Sequence, residues 1–298
     1  MNKKNIFLTG GSGFIGHNLL EKFSDKYCIY APSHSELDLE DTVKVEEYIK
    51  SHNFSVVIHA ANWGGTRKKI ENIGNRVEKN LRIFFNLIRC KEYFKKFIYL
   101  GSGAEYGQKN QIPKMKETYF DMYVPTDDYG FYKYVCSKYL EMVDNIIVLR
   151  IFGCYGKYED YKTRFISNAI CRSILDLPII INNKNIFFDY VYVNDLAKII
   201  EYFIENKGKH RFYNVTPDKS IDLLTIARKV KEVSGKDLDI IVKNEGVNPE
   251  YSGDNARLKD EIKGLKFTDI NTGIRELYAW YLSNKTMVDL EKIMADKY

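Results

Sequence analysis

Tyr129-Gly-Phe-Tyr-Lys133 sets a phenol and an ammonium four residues apart, a spacing that puts both on one face of a helix. A cation beside a phenol favours the phenolate, so the pair could give or take a proton at a carbinol or ketone oxygen, the proton half of a hydride transfer. Ser102 closes the run Phe97-Ile-Tyr-Leu-Gly-Ser102, and its hydroxyl could hold the same oxygen. Tyr134 and Lys138 repeat the spacing. Tyr134 falls mid-helix and reads as packing, whereas Tyr129 stands in a first turn, where a side chain can project into a cleft.

The hydride needs a carrier, and the N-terminal glycines offer its cradle. Thr9-Gly-Gly-Ser-Gly-Phe-Ile-Gly16 parses as GxxGxxG at Gly10, Gly13 and Gly16, or as GxGxxG from Gly11. Either way the chain turns tightly, its backbone can approach a pyrophosphate, and Phe14 and Ile15 open a helix whose N-terminus favours anions. An NAD site normally ends its second strand with a carboxylate for the ribose 2′-hydroxyl. Here that end reads Ala31-Pro-Ser-His-Ser35, with no acid before Glu36. Ser33 and His34 could hydrogen-bond a 2′-phosphate, so NADP(H) is expected and NAD(H) stays possible. Asp38 and Leu39 would position the adenine.

The elements that must hold these groups alternate along the first half of the chain. Short apolar runs at 6–10, 28–31, 56–61, 97–102 and 146–152 read as buried strands, and 14–23, 43–51, 75–91 and 129–143 as the helices between them. Strands that are apolar throughout, joined by helices, imply right-handed crossovers and a parallel sheet covered on both faces. Beyond Gly156 the rhythm loosens. Helices are expected at 158–175, 194–204, 221–234, 272–282 and 287–294, and strands at 178–183, 189–193, 213–215 and 239–243. The expected fold is α/β: a Rossmann-type doubly wound parallel sheet with a smaller, interwoven C-terminal α/β substrate lobe. Residues 1–156 would form the dinucleotide-binding domain, 186–206 would rejoin it, and 157–185 with 207–298 would form the lobe.

Composition excludes several classes. Of 298 residues, 45% are hydrophobic and 29% charged, enough for a real core, so a disordered chain is excluded. The net charge of +5 is spread without a basic stripe, so no nucleic-acid partner is expected. Lys68-Lys69 and Lys95-Lys96 read as solvated loop charges. No run has the length of a membrane span, and MNKK leads directly into the first strand without a secretory leader, so a cytoplasmic protein with no membrane partner is expected. Five cysteines without a CxxC pair read as reduced thiols, no cluster has metal-ligand spacing, and His17 and His59 read as structural.

Taken in order, the motifs resemble the extended short-chain dehydrogenase/reductase family (the NAD-dependent epimerase/dehydratase type), in its nucleotide-sugar-modifying branch, along essentially the whole chain. TGGSGFIG is similar to TGxxGxxG. His59-Ala60-Ala61-Asn62 resembles the strand-three motif that lines the cofactor, and Asn80 the helix asparagine near it. Gly101-Ser102-Gly103-Ala-Glu-Tyr106 resembles the serine motif, YGFYK is similar to YGxSK, and Asp189-Tyr-Val-Tyr-Val-Asn-Asp195 to the late DFxYVxD signature. The resemblance implies catalytic roles for Ser102, Tyr129 and Lys133, a nucleotide-sugar substrate and a homodimer built on helices 75–91 and 129–143.

Departures narrow the expectation. Gly103-Ala104 replaces the dehydratases' Asp-Glu pair, which argues against 4,6-elimination, and Ala104 replaces the cysteine of epimerase–reductases. Residues 36–42 and 60–65 are more similar to GDP-fucose synthase and dTDP-4-keto-sugar reductases than to 4-epimerases. Tyr132 stands for the family's serine, Phe188 for its arginine before DFxYV, and Gly153 for the asparagine of RxFNxYG. The last two hold the substrate's pyrophosphate in relatives, which leaves Arg164 and Arg257 as candidates, beside Ser102 and Gly103 at the sugar. The expected activity is NADP(H)-dependent reduction of a nucleoside-diphosphate 4-keto-(6-deoxy)sugar. A 4-epimerase with tightly bound NAD and a non-catalytic cofactor-binding regulator remain open alternatives.

Overall fold

A computed structural model describes residues 3–64 and 73–294, so Lys68 and Lys69 lie outside the described residues. The first half runs β1 (Asn5–Thr9), α1 (Phe14–Phe23), β2 (Cys28–Tyr30), α2 (Thr42–His52), β3 (Phe54–His59), α3 (Ile73–Ile88), β4 (Phe94–Ser102), α4 (Asp128–Leu140) and β5 (Ile146–Ile151). There follow β6 (Cys154–Tyr155), α5 (Phe165–Ile174), β7 (Ile179–Ile181), β8 (Asn185–Phe188), β9 (Val191–Tyr192), α6 (Val193–Glu205) and β10 (Phe212–Val215). The chain ends with β11 (Ile221–Asp222), α7 (Leu223–Ser234), β12 (Ile240–Val242), β13 (Val247–Tyr251), α8 (Ala256–Glu261), α9 (Ile270–Ser283) and α10 (Leu290–Met294).

Six parallel strands form the main sheet in the order β10-β5-β4-β3-β1-β2. Alternate residues of each strand feed opposite cores. Ile6, Leu8, Ile98 and Leu149 pack under α1 and α6, while Phe7, Val57, Phe97 and Val148 pack under α2, α3 and α4. Both faces are thus apolar, the reason the strands read as unbroken hydrophobic runs. Strand order reverses between β1 and β3, so the crevice for a ligand opens at their carboxyl ends.

The later chain differs from the sequence expectation. The sixth strand of the main sheet is β10, a segment assigned by sequence to the lobe, and it pairs with β5. Within 186–206 only α6 returns to the main sheet, through Leu196, Ile200 and Phe203. β9 pairs with β6, and β8 lies between β11 and β13 in a separate three-stranded sheet. Residues 158–164 are not helical; Tyr158 has φ 66° and α5 begins only at Phe165. The lobe's own core gathers α5, α7, α9 and β7 around Ile170, Ile226 and Leu277. Among the described residues no helix is long and apolar enough to cross a membrane.

Candidate active site

The glycine turn is built by exclusion. Gly10 has φ 73°, which favours glycine, and a Cβ there would lie 2.7 Å from the Ala61 nitrogen. A Cβ on Gly16 would collide with the Gly10 carbonyl, and one on Gly11 would lie 2.8 Å from the Ala31 methyl. Both parses of the motif are therefore sterically required. Gly13 is the N-cap of α1, with no side chain satisfying the helix's first N–H groups. These donors open into a cleft of about 920 Å³ lined by Gly10, Gly13, Phe14, Ile15 and Gly16. An anionic dinucleotide fits this cradle.

Ala60, Ala61 and Asn62 line the cleft beyond β3. Behind them Thr9 Oγ1 accepts from the Ala61 N–H at 3.2 Å and bonds His59 Nδ1 at 2.8 Å. Burial, and then the charge of Lys133, pushes the His59 pKa down to about 3, so this histidine is a neutral tie between strands. Asn80 does not line the cleft. It grips the loop after β3, accepting from the Trp63 N–H at 2.9 Å and donating to the Trp63 and Arg76 carbonyls. Ser33, His34, Asp38 and Leu39 line the opposite bank. The donors of Ser33, read from sequence as open to a 2′-phosphate, are both taken: its N–H and hydroxyl reach the Glu36 carboxylate at 2.7 and 2.8 Å.

Ser102, Tyr129 and Lys133 all line this same cleft. Ser102 ends β4 inside a capping box: its Oγ accepts from the Ala104 N–H, and the Glu105 carboxylate accepts from its own N–H at 2.8 Å. Glu105 is held in turn by Arg150 Nε at 2.7 Å, both fully buried. α4 starts where Asp127 accepts from the Gly130 N–H at 2.8 Å, which sets Tyr129 in the first turn and Lys133 one turn on. Lys133 is buried, donates to the Leu100 carbonyl at 2.6 Å and lies 4.7 Å over the Tyr99 ring. Tyr132 is buried and donates to Asn62 Oδ1 at 2.5 Å, tying α4 to the loop after β3. Tyr134 and Lys138 both bind Asp121 outside the cleft, so the second YxxxK pair serves the surface.

The remaining wall comes from the lobe. Phe188 stacks on Tyr251 at 4.6 Å and Phe152 leans on Tyr251 at 5.2 Å. The Tyr251 hydroxyl faces Ser102 and Gln111, and burial pushes its pKa far up, so it stays a neutral donor. Gln111 Nε2 donates to the Gly103 carbonyl at 2.8 Å, while its buried Oε1 has no partner among the described residues. Gly103 forms the floor: a Cβ there would lie 2.7 Å from both Phe152 and the Tyr251 hydroxyl.

Arg164 lines the cleft, and its side chain makes no hydrogen bond or salt bridge among the described residues. Arg257 does not reach the cleft. It donates to the Phe212 carbonyl at 3.1 Å and lies 3.9 Å from Glu117, tied to the back of β10. Sequence reasoning missed Tyr251, Gln111 and Glu159, which lie in stretches without a motif. A smaller cavity of about 220 Å³ adjoins this end and shares Arg164, Glu159 and Phe188. Among the described residues no three His, Cys, Asp or Glu side chains gather as a metal site would.

A sequence model of the NAD dependent epimerase/dehydratase family matches residues 6–216. The chain belongs to this family. It is 23% identical to an ADP-L-glycero-D-manno-heptose-6-epimerase of Brachyspira hyodysenteriae, covering 91% of this chain and 96% of the relative. It is also 23% identical to a GDP-L-colitose synthase of Yersinia pseudotuberculosis, covering 94% and 98%. Among solved structures it resembles a UDP-glucose 4-epimerase from Thermotoga maritima crystallised with UDP-glucose, with a TM-score of 0.81 at 22% identity over 95% and 99% of the two chains. A GDP-mannoheptose C4 reductase from Campylobacter jejuni with NADP bound gives 0.80 at 18% identity over 94% and 99%. These likenesses establish a shared Rossmann-type fold.

Proposed function

We propose that this chain is a cytoplasmic, nicotinamide-dependent reductase of a nucleoside-diphosphate 4-keto sugar. The observation that carries the reading is the convergence of Ser102, Tyr129 and Lys133 in the one cleft whose other end is the glycine cradle at α1. The colitose synthase and the dTDP-4-dehydro-6-deoxyglucose reductase among its relatives support the substrate class. When bound, a reduced nicotinamide supplies the hydride to the keto carbon. Tyr129 gives its phenolic proton to the keto oxygen, which becomes a hydroxyl. Ser102 Oγ holds that oxygen, and the Lys133 ammonium, anchored on the Leu100 carbonyl, offsets the charge left on the phenol. Tyr251 and Gln111 orient neighbouring sugar hydroxyls, and Arg164 meets the diphosphate in place of the family's arginine, whose position Phe188 fills. The main-sheet domain holds the cofactor and the lobe holds the sugar nucleotide.

The test is a panel of nucleoside-diphosphate 4-keto sugars with NADH and with NADPH, following loss of reduced-nicotinamide absorbance. Turnover by the natural chain, slowed about 10²–10⁴-fold in Tyr129→Phe, is expected; no turnover by the natural chain with any member defeats the proposal.

A second reading is a 4-epimerase, favoured by the Glu36 carboxylate on Ser33, which suits tightly held NAD. There Tyr129 would first accept the proton of the C4 hydroxyl and later return it. For either chemistry we propose a homodimer through α3 and α4, which expose Phe85 and Phe131. A monomeric mass in sedimentation would contradict it.

A further inference from the structure

The bank of the cleft after β2 carries information that the glycine cradle does not. The chain leaves β2 at Tyr30 and closes a turn in which the Glu36 and Leu37 N–H groups donate to the Ser33 carbonyl at 3.1 and 2.9 Å. This turn folds Glu36 back over Ser33. Its Oε2 accepts from the Ser33 N–H at 2.7 Å and from the Ser33 hydroxyl at 2.8 Å, while Ser33 Oγ stands 3.0 Å from Ser35 Oγ. These bonds, the backbone one foremost, hold the Glu36 carboxyl below its usual range, so it is an anion at neutral pH.

Ser33 lines the cleft, but with both donors committed to Glu36 it presents lone pairs. Lone pairs accept from a ribose 2′-hydroxyl and repel a 2′-phosphate. Two further carboxylates belong to the bank. Asp38 and Glu40 also line it; Asp38 has His34 at 3.7 Å and Glu40 has Lys79 at 3.1 Å. Of the cleft's lysine and arginine, Lys133 is tied to the Leu100 carbonyl and Arg164 stands at the start of α5 in the lobe. Among the described residues no guanidinium or ammonium lines the 2′ end, where a dianion would need one.

We propose that Glu36, acting through Ser33, reads the 2′ position of the adenine ribose and makes this chain selective for NAD(H) over NADP(H). Glu36 is a positioning residue, and Ser33 is the group that touches the ribose. The inference rests on the cofactor cradle of the proposed function but on none of its sugar chemistry. It reverses the preference that the sequence suggests. An acid three residues beyond Ser33 counts as absent in a linear reading, yet the turn returns it to the strand end.

The test is a fluorescence titration of the full chain with NADH and with NADPH, in the absence of any sugar. Natural protein is expected to bind NADH about tenfold more tightly than NADPH, the scale of one hydrogen bond gained by the first and lost by the second. Glu36→Gln is exposed and carries no folding risk; it should narrow the ratio by tightening NADPH, with a steeper salt dependence of NADPH binding than of NADH binding. Glu36→Gln with His34→Arg should invert the preference. Equal or tighter NADPH binding by the natural chain overturns the proposal while leaving the reductase reading intact. So does a Glu36→Gln variant that weakens both cofactors alike. Failure to bind either cofactor would overturn the inference and the proposed function together.

Discussion

Glu159 sits where the cleft meets the smaller cavity, and its charge has a cost to the fold. The residue is 6% exposed and accepts from Ser167 Oγ at 2.7 Å. Burial pushes its pKa from 4.5 to about 7, against the opposing pull of Arg164 and the Ser167 hydroxyl. A tenfold change in proton affinity is worth about 1.4 kcal/mol, so a carboxyl raised this far costs about 3 kcal/mol when ionised. The folded chain holds this proton more tightly than the unfolded one. Its stabilising contribution is therefore complete below pH 4.5 and is lost as pH rises to about 7. Glu159→Gln keeps the size, still meets Ser167 and carries no charge. Urea unfolding at pH 5 and pH 8 should show the natural chain losing up to about 3 kcal/mol more than the variant between the two. Asp189, raised to about 6 by burial, falls in the same direction but is common to both proteins and cancels. Identical pH profiles for the two proteins would refute the assignment. The same ionisation sets a negative charge beside Arg164, so affinity for the sugar nucleotide should weaken above about pH 7.

Other consequences can be measured directly. Tyr129→Phe should lower kcat by about 10²–10⁴-fold, the usual worth of a positioned acid, with the cofactor still bound; a loss under tenfold would remove Tyr129 from proton transfer. Arg150→Met strands the buried Glu105 carboxylate and should cost about 3–5 kcal/mol in denaturant titration, because the pair is fully desolvated. A cost under 1 kcal/mol would show that Glu105 does not need its partner to hold Ser102. Gly10→Ala forces a Cβ to 2.7 Å from the Ala61 nitrogen and should abolish cofactor binding in fluorescence titration; full binding would mean that the turn relaxes. Tyr251→Phe removes one neutral hydrogen bond to the sugar and should raise KM about fivefold, with an unchanged KM counting against contact.

What could be read from the sequence follows from how local the cause is. β1, β3, β4 and β5 are predominantly apolar because both faces of the sheet are covered, so residue type largely reveals them; Lys95 and Lys96, read as loop charges, instead lie at the start of β4, where Lys96 donates to the Phe203 and Asn206 carbonyls. The glycine turn and the Tyr129–Lys133 pair lie inside single loops or helices, where spacing is geometry. β8 and β13 are different. β13 reads VNPEY, has a mostly exposed face, and exists because β8, some 60 residues earlier, pairs with it. Tyr251 reaches Ser102 only through that pairing, so no local pattern announces it. Arg164 and Arg257 carry the same charge, and only the path of the chain decides that one lines the cleft while the other braces β10. Glu36 shows the same limit at shorter range: its distance from Ser33 is set by turn closure, not by position along the chain.

The central claim is net hydride transfer to a sugar ketone with Tyr129 supplying the proton. Its most direct measurement uses reduced nicotinamide deuterated at C4 and a nucleoside-diphosphate 4-keto sugar that turns over, with mass spectrometry of the isolated product. The account predicts one deuterium on the sugar carbon for each cofactor oxidised, with label appearing about 10²–10⁴-fold more slowly when Tyr129→Phe replaces the natural chain. No deuterium gained and no cofactor consumed with any 4-keto sugar, while the chain interconverts C4-hydroxy epimers of a nucleotide sugar without added reduced cofactor, would contradict it and favour the epimerase.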